Sequence, residues 1–120
     1  MLAEALGTFA LVYTVLNVAT ASATSGNSFY GLAIGFTVFA QAVAVGKVSG
    51  GAFNPAVAIG VAVLGLANGA NLWIYWLSEF LGAGIAAFLF LVVNQEKLRE
   101  PLVASDDSAQ DQTNQPVRAV

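Results

Sequence analysis

The 120-residue chain is 58% hydrophobic and only 9% charged, whereas about a quarter of the residues in a typical soluble domain are charged. Residues 1–95 contain only three charged side chains, Glu4, Lys47 and Glu79, and all the others lie in residues 96–120. Of the net charge of −3, the tail contributes −2 and residues 1–95 contribute −1. This segregation predicts one membrane domain over residues 1–95, followed by a polar, disordered tail over residues 96–120.

The chain contains neither cysteine nor histidine. Disulfides, thiolate nucleophiles and the near-neutral proton switch of histidine are therefore excluded, together with two common metal ligands. The sequence has no cluster of lysine and arginine residues that would bind the phosphates of a nucleic acid. Composition accordingly favours a lipid-embedded protein without metal or cofactor, and Ser49 has no residue that would activate it for an enzymatic reaction.

Three segments are long and apolar enough to cross a bilayer. They cover residues 2–21, 29–45 and 72–93, and about 20 apolar residues span a hydrocarbon core of roughly 30 Å. Small polar residues over 20–28 predict a loop between the first two spans. Aromatic residues at the start of the third span predict a position at the membrane interface; they are Trp73, Tyr75 and Trp76.

A glycine-rich stretch lies between the second and third spans. Residues 46–53 predict a loop that enters the membrane, and Asn54-Pro55 predicts a helix start, because Asn is a favoured N-cap and Pro a favoured first helical residue. The helix predicted over residues 55–64 would be about 15 Å long, or half a bilayer core. The predicted fold class is an all-α membrane protein with three transmembrane helices and one re-entrant half-helix.

Residues 49–56, with the sequence Ser-Gly-Gly-Ala-Phe-Asn-Pro-Ala, resemble the second signature loop of the aquaporins and aquaglyceroporins, the major intrinsic proteins. Residues 3–12 resemble the helix that opens each repeat of that family, and residues 32–37 resemble its fifth helix. The resemblance covers residues 1–94 and matches only the second of two inverted repeats. It implies a passive channel for water and small uncharged solutes such as glycerol, urea or ammonia, completed by a second half or by oligomerisation into a tetramer.

The resemblance assigns a pore motif and a pore-lining backbone. The motif is Asn54, Pro55 and Ala56. The backbone is that of Gly50, Gly51, Ala52 and Phe53. If the Asn54 oxygen caps the half-helix, its NH₂ group is free to donate to a crossing molecule. An extended backbone before it would present carbonyl oxygens to the lumen. The alternatives are an ordinary Asn-Pro turn and a flexible glycine turn.

The residue after the pore motif departs from the family pattern. Most second-half loops have an arginine there that narrows the selectivity filter, whereas this chain has Val57. Spacing places Ala42 and Gly51 at two further filter positions, so that the three residues predict a wide, apolar constriction. The alternative is a first-half-like repeat, in which valine is usual at this position.

Three polar residues lie within the predicted spans. The resemblance implies that Glu4 accepts hydrogen bonds from the loop backbone and anchors it, the alternative being a carboxylate at the interface. We expect the side chain of Gln41 either to form a hydrogen bond between two helices or to face the lumen. Glu79 stands where the family usually has proline, and the sequence offers no account of it.

Besides a channel, one function is compatible with the sequence and another is disfavoured. The chain could be a non-conducting half-length subunit that assembles with full-length channels. A secondary transporter with half-helices is disfavoured, because the spans lack a proton-relay pair.

Lys97 and Arg99 follow the last span, which predicts a cytoplasmic tail and places Met1 outside.

Overall fold

The structure, a computed structural model, describes residues 1–94, and within this range every regular element is a helix. The four α-helices are α1 (Leu2–Val15), α2 (Tyr30–Ser49), α3 (Pro55–Val63) and α4 (Leu72–Val93). The predicted tail over residues 96–120, with the orientation signal of Lys97 and Arg99, lies outside the described residues.

Three helical segments are long and apolar enough to span a membrane: Leu2–Thr20, Tyr30–Ser49 and Gly69–Val93. The first combines α1 with a π-helical turn over Leu16–Thr20. The nine residues of α3 correspond to about 13 Å of helix, too short to cross the bilayer. The predicted fold class, three spans and one half-helix, is confirmed.

The second span ends later than predicted. The sequence placed the start of the re-entrant loop at Gly46, but α2 continues to Ser49. Gly46 is accommodated inside the helix, where its carbonyl oxygen accepts a 2.9 Å hydrogen bond from the Gly50 N–H. Gly50 ends the helix with a left-handed φ of 98°, a conformation that glycine adopts without a Cβ penalty.

Helices α1 and α4 pack closely together, and small residues permit the approach. The buried residues of α4 are Ser78, Glu79, Gly82 and Ala86. A Cβ on Gly82 would collide with the Ala5 carbonyl oxygen and lie 3.0 Å from the Phe9 nitrogen. The two backbones are therefore in direct contact at this point. Helix α1 also contacts α2, and α3 packs against α4.

Helix α2 is the least covered of the four α-helices, since none of its residues is buried. Its Gly31 and Gly35 are spaced four residues apart, a pattern that permits close helix packing, but neither has a described neighbour within 4 Å of the position that a Cβ would take. Large apolar side chains of the same helix, such as Leu32 and Phe36, are more than half exposed. The described residues thus leave an apolar flank on α2 available to lipid or to another polypeptide.

Candidate functional site

The loop between α2 and α3 is fastened to the first turn of α1 by Glu4. The Oε1 atom of Glu4 accepts hydrogen bonds from the Gly51 N–H at 3.0 Å and from the Ala52 N–H at 3.3 Å. Its Oε2 atom accepts a 2.7 Å hydrogen bond from the Phe53 N–H. The side chain is 2% exposed. Three backbone donors therefore compensate a carboxylate that would otherwise be very costly to bury.

The loop backbone is turned rather than extended, and the sequence prediction of an extended segment was wrong. Left-handed φ values occur at Gly50 (98°), Gly51 (67°) and Phe53 (52°). Left-handed residues alternating with others turn successive N–H groups toward one side, forming a concave anion-binding nest. Here the three N–H groups converge on the Glu4 carboxylate, which an extended strand would not allow because its N–H groups alternate in direction.

The buried side chain of Phe53 packs against α1 and helps to fix the loop. Its side chain is 1% exposed, although the residue holds a positive φ that is uncommon for a bulky side chain. Its ring fills the space beside Gly7 of α1, where a Cβ would collide with two ring carbons. The buried ring and the hydrogen bond from its own N–H to Glu4 both favour this unusual backbone conformation.

Asn54 begins the half-helix with an extended backbone conformation, φ −158° and ψ 127°. Its Oδ1 atom accepts a 2.9 Å hydrogen bond from the Ala56 N–H, and Pro55 occupies the first helical turn. The Asn54 side chain is exposed, and its NH₂ group makes no hydrogen bond with another described residue. Two amide donors are thus free at the N-terminus of α3.

Tyr75 of α4 forms a hydrogen bond at the start of the loop. Its hydroxyl donates to the carbonyl oxygen of Ser49, the last residue of α2, and a Cβ on Gly50 would lie 2.9 Å from the same hydroxyl oxygen. Tyr75 is half-buried, whereas Trp73 and Trp76 are exposed. Of the three aromatic residues predicted at the interface, Tyr75 therefore also joins two helices, a contact that composition alone could not indicate.

The three predicted filter residues lie on different elements. Val57 is on the first turn of α3 and is 45% exposed. Ala42 is an exposed residue of α2, and Gly51 is a half-buried loop residue beside Glu4. The structure brings Gly51 to the anchor, while Val57 and Ala42 stay accessible from outside the described helices.

Glu79 is the polar residue for which the sequence gave no account. It is fully buried, and neither of its carboxylate oxygens has a hydrogen-bond partner among the described residues. The carboxyl group faces the backbone N–H of Asn54 and lies close enough to Glu4 for the two groups to interact. The Thr8 hydroxyl, 2% exposed, is likewise without a partner in the described part of the chain.

Gln41 lies between helices but does not join them by a hydrogen bond. Its Oε1 atom is buried and would be 2.9 Å from a Cβ on Gly7 of α1. No hydrogen bond connects this oxygen to any residue within 1–94. Of the two alternatives, the structure supports the position against a neighbouring helix, and the expected hydrogen bond is absent there.

Comparisons with known proteins all point to one protein family. The family model described as "Major intrinsic protein" matches residues 1–90. The chain is 39% identical over 104 residues to "Probable aquaporin TIP3-2" of Oryza sativa subsp. japonica, which is 87% of this chain and 39% of the relative. It is 42% identical over 100 residues to "Aquaporin Z" of Brucella melitensis, which is 79% of this chain and 44% of the relative.

A third relative is "Aquaporin-B" of Dictyostelium discoideum, 45% identical over 73 residues, or 61% of this chain and 24% of that protein. The chain therefore spans less than half the length of these relatives. No solved structure matches it.

Proposed function

Because the chain belongs to the major intrinsic protein family, we propose that it supplies one half of a passive channel for water and small uncharged solutes. It is an integral membrane protein with three helices of spanning length. The relatives that match it are named as aquaporins. What this half contributes is argued here from its own residues.

The observation that carries the proposal is the free amide of Asn54 at the start of a half-helix. The Oδ1 atom is occupied by the Ala56 N–H, so that the amide plane is fixed and the NH₂ group points away from the cap. A water or hydroxyl oxygen passing this point can accept a hydrogen bond from it. Since the loop is fastened by Glu4 through three N–H groups, the donor is held in a constant position.

Charge selectivity follows from the same element. An α-helix N-terminus carries a partial charge of about +0.5, and a pore that passes it presents a barrier to cations and protons. The nine residues of α3 begin at this point. We therefore propose that the channel excludes protons while it passes neutral molecules.

Solute size is set by the residues around Asn54. We propose that Val57, Ala42 and Gly51 line a wide, apolar constriction. The exposure of Val57 and Ala42 supports this role, because neither side chain is used to pack the described helices. Such a filter has no fixed charge, and it would admit glycerol, urea or ammonia together with water.

The pore needs a second half. Asn54, Ala56 and Val57 are exposed, and a loop backbone at membrane depth is stable only where protein or a wet cavity surrounds it. We propose that the cover is either a second copy in inverted orientation or another half-channel. The second copy would supply the same motif from the opposite side of the membrane.

The test is osmotic shrinkage of proteoliposomes that contain only this chain, followed by stopped-flow light scattering. Asn54→Asp is the matched variant, because its carboxylate can still cap α3 but has no NH₂ donor and adds a negative charge. Wild-type vesicles should shrink several-fold faster than empty vesicles, and the variant should shrink more slowly than wild type at equal reconstitution. Proton leak comparable to water flux in the wild type would contradict the proposal.

A second candidate function is supported by α2, none of whose residues is buried among the described helices, so that its apolar flank is open to another polypeptide. A non-conducting subunit would assemble with full-length channels and change their activity. Co-reconstitution of the chain with a full-length aquaporin distinguishes the two. A conducting half raises permeability when it is alone in the vesicle, whereas a non-conducting subunit changes permeability only in the mixed sample.

A further inference from the structure

Glu79 is a buried carboxyl group whose charge would find no compensation within residues 1–94. It is 0% exposed, and neither of its oxygens has a hydrogen-bond partner among the described residues. Both oxygens are closed to solvent by the protein's own packing, so a second polypeptide over the loop would add no donor to them. An ionised carboxylate is strongly disfavoured in such surroundings.

The titratable side chains around Glu79 also favour its neutral form. Helix α4 packs mainly against α1, α3 and the short helical turns that adjoin α1 and α4. Among these neighbours only α1 carries titratable side chains, Glu4 and Tyr13, and the single basic side chain within residues 1–94, Lys47, is on α2. Glu4 lies close enough to interact with Glu79, and two like charges at one site repel each other.

The N–H groups of the loop divide between the two acids. Those of Gly51, Ala52 and Phe53 donate to the Glu4 carboxylate. The next N–H along the chain, that of Asn54, donates to no other residue within 1–94, and it faces the Glu79 carboxyl group. An unpaired donor therefore lies beside an unpaired acceptor, and a neutral carboxyl group keeps the acceptor capacity that this hydrogen bond needs.

The protonation state of Glu79 bears on the charge at the start of the half-helix. The N-terminus of α3 carries a partial charge of about +0.5. A full negative charge beside the Asn54 N–H would outweigh this partial charge, whereas a neutral acid leaves it intact. A neutral Glu79 can thus satisfy the Asn54 N–H without opposing the exclusion of cations.

We propose that Glu79 is a positioning residue, a neutral carboxylic acid that accepts the Asn54 N–H and fixes the start of the half-helix. Glu4 and Glu79 would then hold four successive N–H groups from two different helices. Any effect of Glu79 on water flux rests on the proposed function, because Asn54 belongs to the pore motif. The protonation state and the hydrogen bond themselves do not require that the chain conducts.

The protonation state is tested by infrared spectroscopy of the full chain at neutral pH, in a detergent without carbonyl groups. Exposed carboxyl groups are ionised at this pH. We therefore expect the wild type to show a C=O stretching band of a neutral carboxylic acid, and Glu79→Gln to lack it. A wild type without this band, or a band that persists in Glu79→Gln, would overturn the neutral acid.

The position of Asn54 is tested by its backbone N–H signal in the full chain labelled with ¹⁵N-asparagine, and Asn54→Asp identifies this signal. Glu79→Gln keeps a carbonyl oxygen and should leave the signal close to that of the wild type. Glu79→Leu has a similar volume but no acceptor. In this variant the Asn54 proton signal should move upfield, and its exchange with solvent should become about tenfold faster.

Equal Asn54 signals in the glutamine and leucine variants would show that Glu79 only fills space, and would overturn the positioning role. If both variants fail to fold, the wild type alone decides, because the frequency of the acid C=O band distinguishes a carbonyl that accepts a hydrogen bond from a free one. Osmotic shrinkage separates this inference from the channel. Wild type that shows the acid band but no water flux contradicts only the channel, whereas flux without the band contradicts only the neutral acid.

Discussion

Glu4 holds the conformation of the loop between α2 and α3, because its single carboxylate accepts hydrogen bonds from three consecutive backbone N–H groups. The loop residues that supply them, Gly51, Ala52 and Phe53, hold a conformation that a free glycine-rich segment would not maintain. Removal of one acceptor from a buried donor costs about 1–3 kcal/mol. The stability of the loop should therefore depend on Glu4 more than on any other side chain in its surroundings.

The prediction for Glu4 compares alanine with glutamine. Glu4→Ala leaves the N–H groups of Ala52 and Phe53 without acceptors, while the Gly51 N–H keeps a 3.4 Å hydrogen bond to the Ser49 Oγ, and it should lower the unfolding free energy by about 2 kcal/mol or more. Glu4→Gln retains one carbonyl oxygen and should lose roughly half as much. Thermal unfolding followed by circular dichroism in one detergent measures both variants. Equal midpoints for wild type and Glu4→Ala would show that the loop does not depend on this carboxylate.

A substitution at Val57 tests the proposal that the constriction is wide. Val57→Arg adds a long cationic side chain at the first turn of α3, which should narrow the opening and introduce a fixed charge. Glycerol and urea uptake should fall by about tenfold or more, and water flux should fall less, because water is the smallest permeant. Paired solute-uptake and osmotic measurements on the same vesicles give the ratio.

The control for this change is Val63→Arg. Val63 is the last residue of α3 and is 79% exposed, so the substitution places the same charge on the same helix almost two turns from Val57. The solute-to-water ratio should then equal that of the wild type. An unchanged ratio in Val57→Arg as well would place Val57 outside the constriction.

Motif reasoning identified the residues of the loop but not their full set of contacts. Glu4 and Asn54 follow from local rules and from the family resemblance, since a carboxylate in a span needs donors and Asn-Pro is a helix start. The surroundings of Glu79 and Thr8 depend on how α1 and α4 cross, and the contact of Tyr75 depends on how α4 meets the end of α2. A side chain two turns into a helix carries no sequence signal for the neighbour that it will meet, so these contacts required coordinates.

Among the helices, the contact between α1 and α4 positions the site. It brings Glu4 and Glu79 to the same side of the loop, and it depends on the absence of a side chain at Gly82. Packed interiors tolerate added atoms poorly, and overpacking typically costs about 1–3 kcal/mol. The crossing therefore provides a sharp test of the helix arrangement.

Gly82→Ala should destabilise the protein by about 1–3 kcal/mol, because the new methyl group collides with the Ala5 carbonyl oxygen and neither backbone can yield easily. Gly84→Ala is the matched control on the same helix, since no described atom lies within 4 Å of the added Cβ. It should be neutral or stabilising by up to about 1 kcal/mol through helix propensity. Thermal unfolding of the two variants gives the comparison, and similar losses in both would contradict the crossing.

Helix boundaries show what a hydrophobic pattern can and cannot predict. The third span was predicted over residues 72–93, and helix α4 is observed over the same residues, Leu72–Val93, because polar and glycine residues delimit it clearly. The end of α2 was placed four residues too early, at residue 45. Gly46 and Gly50 look alike in the sequence, and only the left-handed turn at Gly50, stabilised by the loop that follows, decides which one ends the helix.

The described chain as a whole has too little buried surface for an independent membrane unit. Its buried apolar side chains are Ala52, Phe53, Ala58 and Ala86, while α2 buries none of its residues. Lipid can cover apolar side chains, but it offers no hydrogen bonds to the free amide of Asn54 or to exposed loop backbone. We therefore expect a polypeptide partner to cover the loop between α2 and α3.

We predict that the purified chain forms at least a dimer in mild detergent, measured by light scattering coupled to size exclusion. The orientation of its partner can be read from Ser25→Cys, since the chain has no cysteine of its own and Ser25 is an exposed residue between α1 and α2. In sealed vesicles prepared from the expressing cells, an impermeant maleimide should label about half of the sites if inverted copies pair. Labelling of nearly all or almost none indicates one orientation and therefore a different half-channel as the partner. A folded, helical monomer that is stable over days in detergent would contradict the need for a second half in either form.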